Sequence, residues 1–268
     1  MEITGATKAV EAAVIALGGL DAFLVHFGVS RRTVPHWKQH GNPAECAPMV
    51  EAATGISRSR LRPDPWPPTM TAGIEALDAL TQNRAGAFAL LGALLASPPD
   101  TRLLRAVAAL PAGESVLGQT IGSLAEAAAA TEPEILAREF HDLFIGVGRG
   151  ELLPYASYYL TGFLHERPLA DLRATLQAIG VERARGVAEP EDHIAFVCET
   201  MAGMLRGDTA LTSDGFGAAG FYQRHILPWA GRLFADLLAN QRSNFYRAVG
   251  GFGRAVLDIE TMAAELPE

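Results

Sequence analysis

Four prolines stand within six residues at Pro63-Asp-Pro-Trp-Pro-Pro68. No helix continues through such a run, because each proline fixes φ and removes a backbone donor, and the stretch favours a stiff, extended connection. The chain therefore divides into a small domain, residues 1–62, a proline-rich linker, residues 63–71, and a larger domain, residues 72–268. Charge divides in the same way. Residues 1–66 carry seven Lys/Arg against six Asp/Glu, a balance of +1, which leaves −9 on the remainder of a chain whose net charge is −8. Such asymmetry points to two modules with different partners, and the acidic one repels nucleic acid and attracts cationic peptide.

Both modules read as helices, so the expected class is all-α. Alanine and leucine dominate over β-branched and aromatic residues, and no convincing period-two alternation occurs. The first module suggests helices at 8–17, 20–27, 31–40, 44–54 and 57–61. The second suggests them at 72–96, 100–110, 115–130, 133–145, 157–165, 168–179, 190–206, 217–226, 228–240 and 243–264. The segment from Pro190 shows the basis: Ile194, Val197, Cys198, Met201, Met204 and Leu205 recur on one helical face. Pro190 suits a first helical position, and Glu191 and Asp192 suit the positive end of a helix dipole. Two distant cysteines, Cys46 and Cys198, make a disulfide framework improbable and fit a reducing compartment. Neither a signal peptide nor a membrane span is evident, so a cytoplasmic location without membrane insertion is expected.

Residues 20–37, LDAFLVHFGVSRRTVPHW, fit a helix-turn-helix. Gly28 supplies the left-handed turn residue, and Val29, Val34 and Trp37 supply the inner face. Arg31, Arg32, Thr33, His36 and Lys38 would lie on the exposed face of the second helix, and no acid occurs from Ala22 through Ala44. That pattern suits an approach to DNA phosphates through residues 1–62. Pro35 counts against it, because an interior proline deletes a helix hydrogen bond at up to ~3 kcal/mol. Leu24 also stands where such motifs prefer alanine. Over residues 8–66 the stretch resembles the YdaS-like, Cro-type helix-turn-helix family. The alternative use of this domain is protein contact or dimerisation, which would make the chain a homodimer.

Catalytic templates are missing: there is no Walker loop, HExxH, CxxC or GxSxG. Gly146-Val-Gly-Arg-Gly150 follows a helix rather than a strand and lacks dinucleotide-loop spacing. The histidines show no ligand spacing with Asp192-His193, so neither a metal, a cofactor nor a catalytic residue is expected, and the chain does not read as an enzyme. Two segments concentrate the unusual residues instead: Leu143–Tyr159 (LFIGVGRGELLPYASYY) and Glu189–His193 (EPEDH). The second precedes a helix with Cys-Glu-x-Met, Cys198–Met201, and His225-x-x-Pro-Trp229 comes later.

In that order, over about residues 84–260, these elements closely resemble the TorD/DmsD family of redox-enzyme maturation chaperones, most of all members associated with formate dehydrogenases. The resemblance implies a chaperone that binds the twin-arginine leader, or the apo-form, of a molybdoenzyme precursor and proofreads its export. It implies a groove with Pro154, Tyr155, Tyr158, Tyr159 and Trp229 as walls, Glu189, Glu191 and Asp192 at an acidic rim, and Ser157, Pro190 and His193 among the peptide-binding residues. The rival reading is a DNA-binding transcription regulator whose larger domain senses a precursor.

Overall fold

The computed structural model describes residues 5–40, 42–43, 46–62, 68–184, 186, 188–209 and 216–264. The protein is all-helical, and no strand occurs among the described residues. The chain divides into two compact units, residues 1–80 and 81–268.

The first unit opens with α1 (Gly5–Ala16), α2 (Leu20–Phe27), α3 (Thr33–His40), α4 (Ala47–Thr54) and α5 (Arg58–Leu61). Gly28 ends α2 at φ 63° and ψ 27°, its N–H bonded to the Leu24 carbonyl. A side chain there would strain against its own backbone, so the glycine allows the chain to turn into α3. Helix α3 starts at Thr33, not Arg31, which corrects the expectation about Pro35. The proline is the third helical residue, and first-turn N–H groups have no partner within the helix, so no hydrogen bond is lost. The core behind this turn contains Ala9, Val10, Ala13, Phe23, Val34, Trp37, Val50 and Leu61. Phe23 meets Phe27 edge-on at 4.8 Å and Trp37 at 6.1 Å. Each such side chain, fully buried, contributes about 1.5–3 kcal/mol.

Helix α6 (Pro68–Ala96) carries the boundary between the units. The proposed linker residues 63–67 lie outside the described residues, whereas 68–71 are helical. Pro68 takes the first helical position, where a missing N–H costs nothing.

The second unit continues with α7 (Thr101–Ala108), α8 (Val116–Ala129), α9 (Pro133–Phe140), α10 (Ala156–Thr161), α11 (Arg167–Ala178), α12 (Ile194–Arg206), α13 (Ala218–Phe221), α14 (Ala230–Ala239) and α15 (Asn244–Ala264). Asp100 and Ser115 cap α7 and α8 by accepting the N–H groups of Leu103 and Gly118. Helix α15 packs against α8 and α14. Its approach to α14 depends on glycine: a Cβ on Gly250 would meet the Leu238 nitrogen at 2.5 Å, and one on Gly253 the Phe234 ring at 2.4 Å. Arg84 of α6 grips Glu260 of α15 through two parallel hydrogen bonds, Nε to Oε2 at 2.9 Å and Nη2 to Oε1. The core holds Phe88, Leu91, Phe140, Val197, Met201, Phe221, Tyr222, Trp229, Phe234 and Phe252. No single described helix is long and apolar enough to cross a membrane.

Two helices change pitch where they end. His141–Ile145 continues α9 as a π-turn, and Tyr222–Ile226 continues α13 as another. Such turns insert a residue into a helix and redirect the chain beyond it. The first leads through a loop into α10, and the second leads into the turn that places Trp229.

Candidate functional site

The glycine-rich stretch after the first π-turn folds tightly on itself. Gly146 adopts φ 63°, and a Cβ there would meet the Arg149 carbonyl oxygen at 2.1 Å. A Cβ on Gly150 would meet the Phe144 carbonyl carbon and oxygen at 2.5 and 2.6 Å. The loop closes with the Leu152 N–H bonded to the Leu143 carbonyl at 2.8 Å. Gly146 and Gly150 are thus spent on backbone packing within the loop.

The chain then meets the EPEDH segment. Tyr155 and His193 form an isolated antiparallel bridge. The Ala156 N–H donates to the Asp192 carbonyl at 3.0 Å, and the Ile194 N–H donates to the Pro154 carbonyl at 2.8 Å. Asp192, 1% exposed, turns Oδ2 to accept the Ser157 N–H at 2.9 Å. The carboxylate therefore caps the start of α10, thirty-five residues upstream. A negative group there satisfies an orphan donor and complements the helix dipole.

The start of α12 departs from expectation. The helix begins at Ile194, not Pro190, and His193 is its N-cap, with Nδ1 accepting the Ala195 N–H at 3.2 Å. The bridge to Tyr155 holds residue 193 extended, which postpones the helix. Asp192 and His193 thus cap two different helices. Because Nδ1 accepts, the neutral ring carries its proton on Nε2. Burial pushes His193 below the ordinary imidazole range, against the opposite pull of Glu189 and Asp192.

The ten groove candidates fall into three settings. Pro154, Ser157, Asp192 and Trp229 are buried in the packing, with Ser157 at 0% and Trp229 at 1% exposure. The Trp229 indole N–H finds the His225 carbonyl at 2.7 Å, so its polar tip is satisfied internally. Tyr158 and Tyr159 form a half-buried aromatic face. Arg149 donates to the Tyr158 hydroxyl at 2.6 Å and lies 5.2 Å from its ring centroid. The Tyr159 hydroxyl donates to Asp236 Oδ2 at 2.7 Å, and its ring lies 5.8 Å from that of Trp229. Burial, then this bond to Asp236, raises the Tyr159 phenol well above its usual value.

Glu189, Pro190 and His193 form the third group, and they line a cleft of about 550 Å³. Tyr155 stands at its rim: its hydroxyl donates to Glu189 Oε2, and its ring meets His193 edge-on at 5.1 Å. Burial and then the bond to Glu189 raise the Tyr155 phenol. The other walls were not read from the sequence. They include Val181, Glu182 and Arg183 after α11, and Ala195, Phe196, Glu199, Gly203 and Arg206 along α12. The available signal was Glu199, an acid in the otherwise apolar run of that helix.

The cleft's charges are unevenly engaged. Arg206 pairs with Asp208 at 2.8 Å, and Arg183 pairs with Glu191 at 3.7 Å while donating to the Glu189 carbonyl at 3.0 Å. Arg173 also pairs with Glu191, at 2.7 Å. Burial raises Glu191, but the hydrogen bond from Arg173 and the nearby charges outweigh it and leave its carboxyl below the usual range. Glu191, expected at the acidic rim, is therefore neutralised as a clasp between two arginines. Among the described residues no cluster of His, Cys, Asp and Glu has the geometry to hold a metal ion.

The DNA-facing candidates of the first unit are also partly engaged. Arg31 pairs with Asp21, and Lys38 pairs with Glu11 at 2.9 Å. The Thr33 hydroxyl bonds with that of Ser30 at 2.9 Å, and Arg32 and His36 are exposed. Arg31 and Arg32 lie in the turn before α3 rather than on it.

Comparison with known proteins bears on the second unit. The chain is 29% identical over 140 residues to a chaperone protein TorD of Aliivibrio fischeri, covering 48% of this chain and 65% of that protein. It is 34% identical over 101 residues to a chaperone protein TorD of Vibrio cholerae, covering 35% and 46% respectively. The chain thus spans between about half and two-thirds of the length of these relatives. Residues 111–235, which hold the Tyr155–His193 bridge, the tyrosine face and most of the cleft wall, match the family described as nitrate reductase delta subunit.

Proposed function

We propose that the second unit is a cytoplasmic chaperone for the maturation of a redox enzyme, binding a cationic, partly apolar segment of its precursor. The observation that carries this reading is the cleft. It is lined by apolar Ala96, Val181, Ala195 and Phe196 together with Glu182, Glu189 and Glu199. The likeness to TorD chaperones and the family match over residues 111–235 support it. A twin-arginine leader of a molybdoenzyme precursor, formate dehydrogenase among the candidates, has the matching chemistry: positive charge beside an apolar stretch. Isothermal titration of the full chain against leaders and apo-enzymes encoded beside it tests the proposal. Binding at micromolar concentration that weakens with added salt is expected. Failure to bind any leader or any apo-enzyme refutes it.

A second reading concerns the first unit. Gly28 makes a sound turn and Pro35 leaves α3 intact, so a helix-turn-helix that reads DNA is physically available. The pairing of Arg31 and Lys38 to acids reduces the positive field, so Arg32 is the chief test. A gel shift on the chain's own promoter that survives Arg32→Ala unchanged refutes recognition through this turn.

A further inference from the structure

We infer that Glu199 is the residue that reads a positively charged side chain in the cleft, with His193 holding a peptide carbonyl beside it; the inference rests on the peptide-binding reading above. Four carboxylates and two guanidinium groups line the cleft. Both guanidiniums already have partners: Arg206 is spent on Asp208, and Arg183 on Glu191 and the Glu189 carbonyl. Glu189 receives the Tyr155 hydroxyl. Among the described residues, neither Glu182 nor Glu199 has a cation within ion-pair distance, so these two carboxylates have no matching positive charge among the described lining residues.

Glu199 is the better placed of the two. It projects from the middle of α12, and its stem lies over Gly92 of α6, where a Cβ would meet the Glu199 Cγ at 2.9 Å and the Ala195 carbonyl at 3.2 Å. The missing side chain at Gly92 makes room for the stem.

His193 supplies an independent indication of a ligand. Its side chain is only 8% exposed yet lines the same cleft. Nδ1 is committed to the Ala195 N–H, which leaves Nε2–H as a donor without a protein acceptor among the described residues. A donor beside unmatched carboxylates fits a ligand offering an acceptor and a cation together, as a peptide carbonyl and its long basic side chain do. A bare metal ion fits neither part, since the carboxylates are too dispersed to converge on one. A planar guanidinium, able to bond one carboxylate through two parallel N–H groups, suits the site better than a compact ammonium.

The test uses the full chain and three synthetic peptides. One has an Arg-Arg head joined to a leucine- and phenylalanine-rich stretch, and the others carry Lys-Lys or citrulline-citrulline in place of the arginines. Fluorescence anisotropy should rank Arg-Arg above Lys-Lys above citrulline in the unaltered protein. Glu199→Gln should weaken Arg-Arg binding about tenfold or more and leave citrulline binding unchanged, a loss typical of one charge-assisted bond. Glu199→Lys should favour a Glu-Glu-headed peptide. An unaltered melting curve shows that Glu199→Gln, an exposed change, leaves the fold intact. If the Arg-Arg preference survives Glu199→Gln, or if arginine and citrulline peptides bind equally from the start, the assignment of Glu199 is overturned while peptide binding stands. If no peptide, leader or apo-enzyme binds, the peptide-binding reading itself fails and this inference with it.

Discussion

Replacing Asp192 by alanine separates a residue that holds the site together from one that contacts a ligand. Its carboxylate is 1% exposed and accepts the Ser157 N–H at 2.9 Å at the start of α10. The substitution removes a charge-assisted hydrogen bond and strands a buried donor, at a cost of about 2–3 kcal/mol. In a unit of this size each kcal/mol moves the thermal midpoint by about 2–4 °C, so a fall of roughly 4–12 °C is expected by circular dichroism. Asp192→Asn keeps an acceptor oxygen in place and should lose less than half as much. Peptide affinity measured well below the lowered midpoint should remain close to that of the unaltered protein, because Asp192 offers almost no surface to a ligand. An unchanged midpoint accompanied by loss of peptide binding would refute the capping argument and move Asp192 into the contact surface.

Three further outcomes come from the same geometry. Arg84→Ala should cost about 3–5 kcal/mol in denaturant melts by leaving Glu260 buried without its partner, and pairing Arg84→Met with Glu260→Leu should restore most of the loss. Burial, aided by Arg224, holds His225 at about 4, whereas an unfolded imidazole titrates near 6.5. Between those values the unfolded chain binds the additional proton, so stability is complete above about pH 6.5 and declines as pH falls towards about 4. His225→Gln should flatten that acid-side decline in pH-dependent melts while retaining a partner for Thr175, now bonded to His225 at 2.8 Å. Gly150→Ala should destabilise by about 1–3 kcal/mol in urea melts, because its Cβ would overlap the Phe144 carbonyl and the loop backbone must move.

The helices were legible because their signals are local. Alanine-rich periodic runs and Gly28 at a turn each act within a few residues. The candidate site was legible as two segments but not as an arrangement. Pro190-Glu191-Asp192 has the composition of a helix start, yet α12 waits until Ile194 because the backbone at His193 is engaged with Tyr155. Nothing near residue 192 announces that its carboxylate serves a helix thirty-five residues away. The π-turns at His141–Ile145 and Tyr222–Ile226 were equally hidden, since one inserted residue leaves helical composition unaltered. The resemblance implied Trp229 as a groove wall, and only the tertiary fold shows it 1% exposed with its indole N–H donating to the His225 carbonyl. The cleft's far wall escaped notice because Glu182 and Arg183 come after α11 in a stretch with no motif of its own.

The bridge between Tyr155 and His193 has a kinetic meaning as well as a geometric one. The amides of Ala156, Ser157 and Ile194 are all protected by acceptors on the opposite segment. None of the three can open to solvent without parting the two helix starts, so their amide hydrogens should exchange with deuterium at one shared rate. A tenant in the cleft that stiffened Glu189–His193 would then slow exchange at Ala156 and Ser157, residues it never touches.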